Sequence, residues 1–277
     1  MPYSLESLNG LAYKNFGMSL EGAARVASGI DKRLNGITQQ LYSKDANGAL
    51  RSGELVTLLG GNGASLPGVT GSYWETPNHA SLQIVADLDL RFEILEMSGP
   101  TNVNRAILSK WPGGASNLGY EYRYNGFGFE EFVWSPVGTD TLTDTTTIMS
   151  GGASMIGRFT IDVVNGANRI LTWMYATPGA NGVPPDFVNG PWVIRQQKTV
   201  AGNTTIFGNT SPVRVGARAD GTGTSAFNGR IGRVQLRAGI DGTIVANPDF
   251  RFQAPGATTF NDSTGKTWTR AGTASVA

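Results

Sequence analysis

Side chains able to do covalent chemistry are few in this chain, and their spacing is poor for it. The one histidine, His79 in ETPNHAS, has no serine in a Gly-x-Ser-x-Gly turn to activate, so the sequence offers no nucleophile–base–orienter set and His79 reads as a structural loop residue. Glycoside cleavage needs two carboxyl groups about 5–9.5 Å apart on one surface. The close acidic pairs, Glu93 with Glu96 and Glu130 with Glu131, are oddly spaced, and a strand sends such residues to opposite faces. Asp87 and Asp89 do share a face, expected to be the solvated one. Gly265-Lys266-Thr267 echoes the end of a phosphate-binding loop, but Phe260 stands where its first glycine belongs. The sequence therefore predicts no catalytic residues and a protein that is not an enzyme.

Binding chemistry is better represented. Asp140, Asp144, Asp186, Asp220, Asp241 and Asp249 fall in or near turns and are oxygen donors of the type calcium takes, although no EF-hand spacing is present and solvated turn aspartates are the favoured reading. No other cofactor is indicated. Indole and phenol rings can stack on the CH faces of sugars. Trp134 and Trp173 have apolar strand neighbours and are expected in the core. Trp111 before a Pro-Gly-Gly turn, Tyr175 and Trp192 flanking a long loop, and the alternating Tyr120, Tyr122 and Tyr124 form the candidate glycan-binding set. The tyrosines would make one strand face, opposite Glu121, Arg123 and Asn125, and packing against a neighbouring subunit accounts for them as well. Asn203-Thr204-Thr205 and Asn209-Thr210-Ser211 read simply as polar loops.

The 277-residue chain whose elements must hold these residues carries 38 glycines, 16% charged residues, no cysteine and a net charge of +1. This composition suits a turn-rich β protein, excludes disulfides and Cys-ligated metals, and gives no electrostatic case for nucleic acid. Its start lacks the pattern of a secretory signal, and no apolar run reaches the roughly 18 residues of a membrane helix, so membrane insertion is not expected. Residues 1–18 read as an arm. Leu20, Ala23, Ala27, Ile30, Leu34, Ile37 and Leu41 then follow a 3-4 spacing, an a/d seam that predicts an oligomerisation helix with a trimer favoured. Gly22, Gly29 and Gly36 recur along one stripe of that helix and weaken it. A Gly-rich linker is expected around Gly63–Gly71, dividing residues 1–71 from a strand-rich domain at 72–277. The strongest alternation is Leu82–Ile94, LQIVADLDLRFEI, predicted as one long strand with a dry and a wet face. Further strands recur with turn signals, notably Asn165-Gly166 between DVV and ANRILTW. About a dozen strands without long helices predict a mainly β, two-sheet antiparallel sandwich preceded by an α-helical region.

Four segments carry a resemblance over about residues 72–277: SYWETPNHASLQIVADLDLRFEI, AILSKW, RFTIDVVNGANRILTWMY, and FNGRIGRVQLRAGIDGTIVANPDF with FNDSTGKTWTRAG. They resemble the laminin-G-like, concanavalin A-like jelly-roll domain, in the version found in minor tail proteins and other virion proteins of bacteriophages. The resemblance implies a virion protein, made in the host cytoplasm, whose sandwich faces outward and binds host-surface glycan, with residues 1–71 meeting other virion proteins. A capsid decoration or head-fibre protein of the same build is the first alternative. A cell-wall polysaccharide-degrading enzyme is the second.

Overall fold

The computed structural model describes residues 62–98, 102–112, 116–149, 154–176, 186–218 and 225–277. The proposed heptad seam, Leu20 to Leu41, and Asp220 lie outside them. The described residues form two eight-stranded antiparallel sheets packed face to face. In the first sheet the order is β10 (Trp192–Ala201), β9 (Asn168–Ala176), β8 (Met155–Asn165), β3 (Leu88–Met97), β12 (Asn228–Ala238), β1 (Ala64–Pro67) and β16 (Ser275–Val276), with β13 (Thr243–Ala246) also pairing with β12. In the second it is β14 (Thr259–Asn261), β15 (Thr267–Ala271), β2 (Tyr73–Thr76), β11 (Val213–Val215), β4 (Arg105–Ser109), β5 (Tyr120–Tyr124), β6 (Phe129–Trp134) and β7 (Leu142–Met149).

Alternating apolar residues from both sheets meet in one core. Leu88, Leu90, Phe92 and Ile94 of β3 face Tyr120, Tyr122 and Tyr124 of β5, with Phe132, Trp134, Phe159 and Trp173 filling the space between. The rings form a chain: Phe92 lies 5.2 Å from Tyr122, Tyr122 5.2 Å from Phe159, and Phe159 5.2 Å from Trp173. Tilted aromatic pairs at such distances add to the burial of their large apolar area. Gly157 lies opposite Phe92 on β8, and an added Cβ there would stand 2.3 Å from the Phe92 ring, so the backbone is close because the ring fills the place of a side chain.

The predicted strand boundaries need two corrections. The long strand begins at Leu88 rather than Leu82. Ala80–Leu82 is a 3-10 turn capped by the exposed His79, whose Nδ1 accepts from the Ser81 amide at 3.2 Å. Leu82 and Ile84 are buried all the same, which is why the alternation looked continuous. The sandwich also takes in β1, ahead of the expected start at Ser72. β1 sits between β12 and β16, and Gly63 and Ala277 exchange both backbone hydrogen bonds beside it, at 2.9 and 3.1 Å. Its glycine-rich flanks concealed a short strand that buries Ala64 and Leu66. The Asn165-Gly166 turn closes β8 onto β9 as expected, Gly166 taking φ 63°.

Candidate functional site

The face of β3 expected to be wet is dry at its first two positions. Asp89 and Arg91 are almost fully buried although they point away from the core. Two turns roof them. The turn at 186–191 is organised by Asp186, whose carboxylate accepts from the Val188 and Asn189 amides. It lays Phe187 under the Arg233 guanidinium, 3.8 Å from the ring centre, and offers the Val188 carbonyl to Arg91. The turn at 239–242 is held by Asp89 itself, which accepts from the Asp241 amide at 3.0 Å. Asp241 adopts φ 52°, a left-handed conformation that Asp tolerates better than most residues.

Beneath these turns lies a tight ion cluster. Asp89 accepts from Arg91 Nη2 at 2.9 Å and from Arg158 Nε and Nη2 at 3.1 and 2.8 Å. Asp241 completes it with Arg158 at 2.9 Å and a second contact to Arg91. Burial pushes the Asp241 carboxyl upward, but Arg158 and Arg91 more than reverse this and hold it below the usual carboxylate range. Trp192 lies against both guanidiniums, 5.7 Å from Arg91 and 5.8 Å from Arg158.

Beside the cluster an open trough of about 300 Å³ runs across the outer face of the first sheet. β8 supplies Arg158, Thr160 and Asp162. β9 supplies Ile170, Thr172 and Met174. Gln197 of β10 and Ile240 with Asp241 from the turn form the rest of the wall. Strand pairing fixes these positions: Arg158 stands opposite Met174, Thr160 opposite Thr172, and Asp162 opposite Ile170. Gln197 is opposite Thr172 and donates to its hydroxyl at 3.1 Å. Rows of hydroxyl, amide, carboxylate and aliphatic groups on paired strands make a stiff surface able to bind the polar edge and apolar face of a small molecule. The volume is at the lower end of the range for such sites, about 300–1,000 Å³.

Of the predicted glycan-binding rings, Trp192 alone borders this region. Tyr120, Tyr122 and Tyr124 are 1% exposed and belong to the core, so they present no sugar-binding face. Alternation showed that β5 has two unlike faces but not which is inside, and two of the three buried phenol hydroxyls find partners. Tyr122 donates to Glu130, and Tyr124 to Met155 Sδ at 2.9 Å. Trp111, expected at the surface, is buried with Leu118 and Val133 on the far side of the second sheet, under Arg218. Tyr175 is half-buried beside Arg195.

The loop aspartates are dispersed. Asp144 faces Arg169 and Lys198, Asp249 binds Arg251 at 2.6 Å, and Asp140 is exposed. Among the described residues no group of three or more His, Asp or Glu side chains could hold a metal ion. Glu130 and Glu131 do point to opposite faces: Glu130 joins Tyr122 and Arg195 inside the sandwich, and Glu131 joins Arg123 and Glu121 outside.

Neither a protein-family model nor a curated protein matches the sequence. Among solved structures the fold is similar to the CBM40 domain of the Ruminococcus gnavus IT-sialidase. In its α2,3-sialyllactose complex this gives a TM-score of 0.41 at 12% identity, covering 67% of this chain and 91% of that one. The α2,6-sialyllactose complex gives 0.42 at 12%, covering 67% and 92%. Scytalido-glutamic peptidase with a peptide-based transition state analog gives 0.31 at 11%, covering 75% and 96%. These likenesses concern the fold alone. The described residues form a two-sheet antiparallel sandwich with a polar trough on one outer face.

Proposed function

We propose that this chain is a non-enzymatic display protein that presents a jelly-roll sandwich and binds surface glycan in the trough on its first sheet. The observation that carries this reading is the trough itself. Hydroxyl, amide and carboxylate groups alternate there with Ile170 and Met174 on hydrogen-bonded strands, and sugars need that combination of directional polar contacts and flat apolar ones. The setting follows the sequence resemblance: a bacteriophage virion, with residues 1–71 attaching the protein to other virion proteins and favouring a trimer, and the sandwich turned outward. A capsid decoration role fits the same architecture.

The test is a glycan array probed with the full-length chain and with its Gln197→Ala and Met174→Ala variants. Both side chains lie at the trough surface, so the variants should fold. Loss of binding by about tenfold in either variant supports the trough. Binding that both variants retain would move the site elsewhere, and a blank array would remove the glycan assignment.

A further inference from the structure

We infer that the trough selects uncharged sugars and turns carboxylated ones away; the inference rests on the glycan-binding reading above. Its basis is the charge already present. Arg158, the one cation in the lining among the described residues, has Nε and Nη2 on Asp89 and Nη2 within 2.9 Å of Asp241. Arg91 behind it spends its Nη2 on the same two acids. Neither guanidinium carries charge in excess of its carboxylates, so a sugar acid entering here would be a third anion on two cations.

The other groups facing the trough make its field less favourable still for an anion. Asp162 lines the opposite end, its carboxylate anchored by the Val164 amide at 3.3 Å and by Asn165 at 2.8 Å. Asp87 lies just behind, on the Val163 amide at 2.9 Å. A further cation, Arg237, is turned to Gln235 and to the Gly242 carbonyl, at 2.7 and 3.2 Å. Among the described residues named here, four carboxylates thus stand with three guanidiniums. In a partly desolvated site like charges repel strongly, whereas carboxylate oxygens accept well from neutral hydroxyl donors. Asp162 and the 64%-exposed Asp241 are such acceptors, one at each end of a floor of Thr160 and Thr172.

The experiment uses the full-length chain and two immobilised probe sets. The neutral set is lactose, cellobiose and N,N′-diacetylchitobiose. The acidic set is α2,3-sialyllactose, which is lactose with one added sugar acid, and digalacturonate. We expect binding within the neutral set and at least about tenfold weaker binding to every acidic probe. Acidic probes bound as well as or better than neutral ones would overturn the inference while leaving glycan binding intact. Silence from both sets would overturn the two together. An Asp241→Asn variant supplies a gain-of-function arm, because Asn also tolerates the φ of 52° and the fold should persist. Removing that charge leaves Arg91 and Arg158 sharing Asp89 alone, so the acidic-to-neutral ratio should rise by about tenfold. A ratio that does not change would overturn the electrostatic argument.

Discussion

Replacing Asp89 with Asn should be the most damaging single isosteric change on the outer face of the first sheet. The carboxylate is fully buried and accepts from Arg91, Arg158 and the Asp241 amide. Asn keeps the shape but removes the charge and puts two donors where two guanidiniums already point. Arg91 and Arg158, at 1% and 9% side-chain exposure, would then have only Asp241 on the rim to balance them. Breaking a buried ion pair by removing one partner costs about 3–5 kcal/mol. For a domain of this size each kcal/mol lowers Tm by about 2–4 °C, so a fall of roughly 6–20 °C is expected in thermal unfolding followed by circular dichroism. Glu96→Gln is the control. Its pair with Arg230 is largely exposed, at 3.2 Å, and its loss should cost less than about 1 kcal/mol. If Asp89→Asn melted within a degree or two of Glu96→Gln, the cluster would not be the anchor of the roofing turns, and the geometry argued above would not hold.

Two further outcomes follow from the core and from Lys110, the one deeply buried lysine among the described residues. Burial lowers Lys110 from 10.5 to about 8, with Nζ held by Asn78 Oδ1 at 2.8 Å and the Ser211 carbonyl at 2.5 Å. Between those pH values the unfolded chain binds more protons than the folded one, so stability should rise with pH across that window, by at most about 3 kcal/mol. Urea midpoints should show this rise in the parent and a flatter profile in Lys110→Met. Gly157→Ala should cost about 1–3 kcal/mol, because its methyl group would force the fully buried Phe92 ring from its place. An unchanged urea midpoint would mean that the ring moves freely.

Much of the sandwich was legible in the sequence because strand alternation is a local property. The Asn165-Gly166 turn signal does mark where the chain turns between β8 and β9. Short strands such as β14 and β16 carry too few residues to show a period, and the run of threonines in β7 offers no apolar alternation. The site was less legible, for a physical reason. Its residues come from three strands and a distant turn, and none is unusual in itself. A usable signal did exist. Arg158, Thr160 and Asp162 alternate with the apolar Phe159 and Ile161, as Ile170, Thr172 and Met174 do with Leu171 and Trp173, so pairing β8 with β9 across Gly166 would have placed both sets on one outer face. What no local pattern carries is that Asp89 and Arg91 would be roofed. That depends on turns nearly a hundred residues or more further along the chain.

The paired Gly63 and Ala277 have a mechanical consequence. The two ends of the sandwich leave it side by side, joined by two backbone hydrogen bonds and the two-residue β16. A force pulling these ends apart would open those bonds one after another, as a zipper opens, and would not shear a whole strand at once. A load applied at Asn62 alone would instead enter the sandwich through β1 and its ladder with the eleven-residue β12. The trough is carried on β8 and β9, near the opposite edge of that sheet from β1 and β16.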